Sequence, residues 1–211
     1  AGRRSADRTA ASKTAAAAAR AALGQLLGEA FTPQVPLWLD PPPPGPAEPQ
    51  PQSPLDPVPV DAAALLAPGR ALAMTRCDPG EGLDLTRGLR VWVELNWLDP
   101  APADGPWLQL EAGEGVGVHA GTGELCHSAF ARLLLEANLA PLLPAGRGLR
   151  LRLTLPEGRE LAARTSNAAF GVVDGLALIG TQAEVQRSAA PDQLAAVRAE
   201  LARRAVQSGG C

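Results

Sequence analysis

Residues 149–181, LRLRLTLPEGRELAARTSNAAFGVVDGLALIGT, carry the strongest structural signals in the chain. Leu149 to Leu155 alternates leucine with Arg or Thr, the period of a strand with one buried face. Pro156-Glu157-Gly158 then turns the chain, because proline presets φ and glycine accepts the positive values a tight turn needs. Gly171 to Ile179 reads as two short apolar strands broken at Asp174-Gly175, a hairpin dipeptide. Hairpin signals of this kind, with no steady βα alternation along the chain, point to an α+β arrangement.

Outward from this stretch the same pattern continues. Leu89 to Leu98 is the clearest strand, with Val91, Val93 and Leu95 on one side and Trp92, Glu94 and Asn96 on the other. Ala71 to Arg76, Trp107 to Leu110 and Val35 to Leu39 read as shorter strands. Ser128 to Asn138 has helical composition, with Phe130, Leu133, Leu134 and Ala137 at core spacing. Asp7 to Gly28 reads as an alanine-rich helix with Leu23, Leu26 and Leu27 as its stripe, Ser5 or Asp7 as cap and Gly28 as terminator. Ala190 to Val206 closes the chain as a further helix, with Pro191 in its first turn. Between Asp40 and Pro59 the density of proline excludes helix and central strand, leaving an extended, solvated excursion. The expected class is α+β: a mixed or antiparallel sheet with flanking helices, including an N-terminal Ala-rich helix and a C-terminal helix. The expected division is a helix over 1–32, a Pro-rich insertion or linker over 33–70, and an α+β core over 71–211.

Composition narrows the function. The chain has 211 residues with 19 Lys and Arg against 22 Asp and Glu, a net charge of -3. Nucleic-acid binding needs a basic surplus to displace counterions, so that class is not expected. Cys77, Cys126 and Cys211 show no CxxC spacing, and His119 and His127 are the only histidines, so no metal site is expected. No apolar run approaches the ~20 residues that span a bilayer. The first residues lack the apolar core of a secretory signal, which points to a cytoplasmic protein without a membrane segment. Ser, His and Asp fall into no catalytic spacing. Glu111-x-Gly113-x-Gly115-x-Gly117 imitates a dinucleotide-binding loop, but Val118 to Gly123 intervenes where such a loop opens into its helix.

Function enters through a resemblance. Within the opening stretch, the turn, Glu160-Leu161-Ala162, Thr165 with Asn167, Gly171-Val172-Val173, Gly175 and Ile179-Gly180-Thr181 stand in the order and spacing of the cobalt-precorrin-5B C(1)-methyltransferase family. Gly113-Glu114-Gly115-Val116-Gly117 matches that family's Gly-Glu-Gly-Val-Gly loop. Cys77 to Gly88 resembles its acidic Asp-x-Gly-Asp-Asp-Pro-Asp-Val-Thr stretch, keeping Asp78, Gly80, Asp84, Thr86 and Gly88, while Gly82 and Leu83 replace an acid and a proline. The family's opening Gly-x-Thr-Thr-Gly-x-Cys turn is lost over Arg3 to Ala10. The resemblance covers the family's N-terminal portion; the expectation is of a fragment, truncated product or degenerate relative without the further C-terminal α/β region.

The resemblance implies a cytoplasmic S-adenosylmethionine-dependent transferase of anaerobic cobalamin biosynthesis, methylating ring carbon 1 of a cobalt-corrinoid substrate. It implies donor-binding roles for Gly113, Glu114, Gly115 and Gly117, and substrate roles for Asp84, Thr86, Thr165, Asn167, Gly180 and Thr181; it assigns no catalytic residue. Arg150, Arg152, Arg159 and Arg164 are candidates for the substrate's carboxylate arms. Three alternatives stay open: a structural turn at Gly113–Gly117, a non-catalytic corrinoid-binding relative, and a proline-rich interaction module over 40–59. Oligomeric state is not legible.

Overall fold

The computed structural model describes residues 9–39, 55–80, 84–98, 105–165 and 171–178. Its architecture is α+β. Five strands form the main sheet in the order β3-β4-β5-β9-β6: β3 (Ala62–Ala67), β4 (Arg70–Arg76), β5 (Arg90–Leu98), β9 (Gly148–Thr154) and β6 (Leu108–Ala112). The pairs from β3 to β9 are antiparallel, and β6 joins β9 in parallel as an edge strand. The alternation read from sequence sets the faces. Val91, Val93 and Leu95 of β5 and Leu149, Leu151 and Leu153 of β9 are buried, while Arg150 and Arg152 are exposed.

The buried face of the sheet packs on α1 (Ala10–Leu26). Alanine is here more than a good helix former. Ala15 to Ala19 are all at most 1% exposed, so the helix is enclosed on every side over this stretch. Methyl side chains let its backbone approach the strands and the second helix closely, which larger residues would prevent. Gly28, at φ 78°, lies just beyond the end of this helix, as its terminator should. Ser5 and Asp7 lie outside the described residues.

Against α1 packs α2 (Ala129–Leu139), capped by Ser128, whose hydroxyl accepts from the Ala131 amide at 3.1 Å. The inward face differs from the spacing read in sequence: Ala131, Leu134, Leu135, Asn138 and Leu139 are buried, Leu133 is 52% exposed, and Phe130 and Ala137 are intermediate. Both sets fit a helical period. The structure selects the one that carries a polar residue, because Asn138 has a partner. Its side chain accepts from the Trp38 amide at 2.9 Å and donates to the carbonyls of Trp38 and Leu134, both at 2.8 Å. Arg20 stacks over the Trp38 ring at 4.8 Å, and its burial lowers its pKa from the usual guanidinium value. Asn138→Ala leaves the Trp38 peptide unpaired in the interior and is expected to cost about 2–4 kcal/mol in urea unfolding.

The stretch 33–70, expected as insertion or linker, holds three strands among its described residues. β1 (Gln34–Leu37) pairs with β2 (Leu55–Pro59), and β3 belongs to the main sheet. Proline is tolerated in β1 and β2 because their ladder is only two strands wide, so amide groups are not required on both sides. Pro68-Gly69, with Gly69 at φ 79°, turns β3 into β4.

The hairpin expected at Asp174-Gly175 is corrected. Asp174 does turn the chain, at φ 67°. However, β10 (Val172–Val173) pairs antiparallel with β8 (Val118–His119), and β11 (Gly175–Leu176) pairs in parallel with β7 (Gly115–Val116). The two short strands diverge to separate partners in place of pairing with each other. The proposed helix over Ala190–Val206 lies outside the described residues.

Candidate functional site

The strand directions bring several motif segments to one end of the sheet. Arg76 of β4 stands opposite Arg90 of β5, Trp92 opposite Thr154 of β9, and Leu153 beside Ala112 of β6. The segments 77–80 and 84–88, the glycine loop 113–117 and the turn 156–158 therefore all lie at this end. Arg90, at the start of β5, pairs with Glu157 of that turn. After the turn, a short helix α3 (Gly158–Ala162) runs to Thr165, whose hydroxyl donates to the Ala162 carbonyl at 2.8 Å.

Asp84 and Thr86 face one another within their own loop. One carboxylate oxygen of Asp84 accepts from both the amide and the hydroxyl of Thr86, each at 2.7 Å. Asp78 accepts from the Gly80 amide at 3.0 Å, and Arg87 bonds the Gly80 carbonyl. Beneath them Cys77 is buried with its sulfur 3.5 Å from the Thr86 hydroxyl, and burial pushes its thiol pKa up. These bonds organise the loop. Strand β9 lies between β5 and β6, so the two sets of expected ligand residues leave from strands that are not neighbours.

The glycine loop packs where three backbones cross. Gly115 has φ 73°, and a Cβ there would land on the carbonyl oxygen of Leu155. A Cβ at Gly158 or Gly175 would strike the Gly115 carbonyl in turn. Gly117 donates to Leu176 and accepts from Cys126, both at 2.9 Å, while the Glu114 carbonyl accepts from Leu155 at 2.9 Å. The space opened by the missing side chains of Gly115 and Gly117 is filled by this chain's own atoms. No helix follows the loop directly; the next begins at Ala129. Asn167, Gly180 and Thr181 lie outside the described residues.

Next to the loop lies an open cleft of about 990 Å³. β6 forms one side and the segment Val118 to Leu125 another, with His127, Arg132 and Arg152 also lining it. Both signs of charge are present. Glu111 pairs with Arg150 at 3.0 Å and Arg132 with Glu136 at 2.8 Å, while Glu124 and Arg152 also line the wall. Arg152 stands in register between Glu94 and Glu111. Of these residues, sequence reading picked out Arg150 and Arg152 for carboxylate arms and Glu111 only as part of a dinucleotide-loop look-alike. The others escaped it because they come from a strand, a loop and a helix that only the fold assembles. Among the described residues no three His, Cys, Asp or Glu side chains converge as metal ligands, and no helix is long and apolar enough to cross a membrane.

Comparison with known proteins agrees with the motif reading. The CbiD family profile matches residues 6–187. Two relatives, each named cobalt-precorrin-5B C(1)-methyltransferase, come from Synechococcus sp. (strain CC9605) and Prochlorococcus marinus (strain MIT 9313). They are 58% identical over 191 residues and 53% identical over 202 residues. The first alignment covers 90% of this chain and 48% of the relative, the second 93% and 50%. The chain thus spans about half the length of these curated relatives. The crystal structure of the cobalamin biosynthesis protein CbiD from Archaeoglobus fulgidus superimposes with a TM-score of 0.58 at 24% identity, covering 92% of this chain and 58% of that one, and so shares the fold. On the profile match and the identity to its relatives, the chain belongs to the CbiD family.

Proposed function

We propose that this chain takes part in methyl transfer from S-adenosylmethionine to ring carbon 1 of cobalt-precorrin-5B, in a cytoplasmic setting, and that the cleft beside β6 is the site. The observation that carries this reading is the cleft's size and mixed charge, next to the glycine loop that resembles the family's Gly-Glu-Gly-Val-Gly motif. A volume of about 990 Å³ accommodates a large macrocycle with part of a donor. Guanidinium groups suit carboxylate arms, and carboxylates suit an ammonium or ribose hydroxyls. The donor supplies a methyl group on a sulfonium, a leaving group that needs no protonation.

The protein's task is then alignment, which supplies roughly 7–11 kcal/mol in well-oriented reactions. Glu111 and Glu124 hold the donor's polar groups, and Arg132 and Arg152 hold acid arms of the acceptor. The Gly113–Gly117 loop keeps a donor-site role in this reading through Glu114 and the loop backbone, since the faces of Gly113, Gly115 and Gly117 are all occupied. Asp84, Thr86 and Thr165 act by shaping the loops at the same end of the sheet.

Isothermal titration of the chain with S-adenosylhomocysteine tests the donor site. Micromolar binding supports it; a folded chain that binds none places the donor elsewhere and leaves a non-catalytic, corrinoid-binding role. Arg152→Ala is expected to weaken binding of the corrinoid about 10–100-fold, the loss of one charge-assisted contact, with an unchanged circular dichroism spectrum.

A further inference from the structure

The cleft wall contains a group that the alignment argument leaves unused. His127 is half-buried, and its ring Nδ1 lies 3.1 Å from the carbonyl oxygen of Ser128. A carbonyl can only accept, so Nδ1 carries the hydrogen. In the neutral ring this leaves Nε2 with a free lone pair. No described residue bonds Nε2.

The ring is also held firmly. The Ser128 amide donates to the Leu178 carbonyl at 3.0 Å, the Leu178 amide donates to Cys126 at 2.8 Å, and His127 forms a bridge with Leu178. The Ser128 hydroxyl caps α2, and the Ser128 carbonyl accepts the Arg132 amide at 3.2 Å as well as Nδ1. The Ser128 carbonyl therefore sets the tautomer of the ring, and the neighbouring bonds fix the backbone that carries it, as an oriented proton acceptor requires.

We propose that His127 is a catalytic residue that accepts, at Nε2, the proton released by the methyl acceptor. This rests on the methyl-transfer reading above. The new C–C bond takes its electron pair from the acceptor carbon, the C–S pair stays on the leaving sulfide, and the proton lost by the acceptor goes to Nε2.

Two histidines make the test tractable. With ¹⁵N-labelled histidine and His119→Asn to assign the remaining signals, nuclear magnetic resonance should show His127 with a protonated Nδ1 and a bare Nε2. His127→Asn keeps an N–H donor near the place of Nδ1 and removes the acceptor. It should retain its circular dichroism spectrum and S-adenosylhomocysteine binding. It should also lose about 10²–10⁴-fold in single-turnover methyl transfer to cobalt-precorrin-5B, partly restored by added imidazole. An Nε2–H tautomer, or undiminished transfer by His127→Asn in a chain whose wild type is active, overturns the inference alone. A wild-type chain that transfers no methyl group sinks the functional reading, and this inference with it.

Discussion

Gly115→Ala is expected to unfold the chain or bring it close to unfolding, with a loss above about 4 kcal/mol in urea denaturation. Two costs combine. A left-handed backbone costs a residue with a Cβ roughly 1–2 kcal/mol, and Gly115 sits at φ 73°. The added methyl would also occupy the position of the Leu155 carbonyl oxygen, which cannot retreat without breaking the bond between the Leu155 amide and Glu114. Gly121 is the matched control. It lies in a nearby loop, has nothing within 4 Å of its would-be Cβ and no positive φ, so Gly121→Ala should stay within about 0.5 kcal/mol of the parent. If both variants unfold at the parent's midpoint, Leu155 does not cross the chain at Gly115.

The second large effect separates two adjacent leucines. Leu134 is fully buried between α2 and the rest of the core, while Leu133 is 52% exposed. Leu134→Ala should cost about 2–5 kcal/mol, since it removes buried methyl groups and leaves a cavity. Leu133→Ala should cost well under about 1 kcal/mol, as expected for a surface position. A comparable loss from both would mean that α2 is rotated from the orientation described here.

These two cases mark where sequence and structure part. The strands with strict alternation were legible: β4, β5 and β9 appear within a residue or two of the spans read from their patterns. Period two permits only one division into faces once the apolar set is known. The face of α2 was not legible, because leucines at 133, 134, 135 and 139 allow more than one stripe. Only the partner of Asn138 decides between them. β3 was hidden by its alanines and by the prolines before it, although Pro68-Gly69 was a usable turn signal.

The candidate site divides in the same way. Motif spacing singled out the Gly113–Gly117 loop and the Asp84–Thr86 turn, and the structure explains both as backbone devices in their own right. The cleft itself draws on β6, the Val118–Leu125 segment, α2 and β9. Its residues have no common sequence signature, since they become neighbours only through long-range pairing. His127 entered the sequence reading only as one of two histidines, too few for a metal site; it is hydrogen-bonded and lines the cleft.

The enclosed helix α1 bears on how the chain reaches its native state. On the ribosome its residues emerge before any of their partners, which extend from β1 through β5 to α2 at residue 139. Alanine propensity allows a fluctuating helix in that interval, but a short isolated helix is marginal in water and has nothing to bury against. Contacts so distant along the chain carry a loop-closure cost that slows folding. Synthesis and burial therefore run in opposite order: α1 is made before the elements that enclose it and is among the last to leave water.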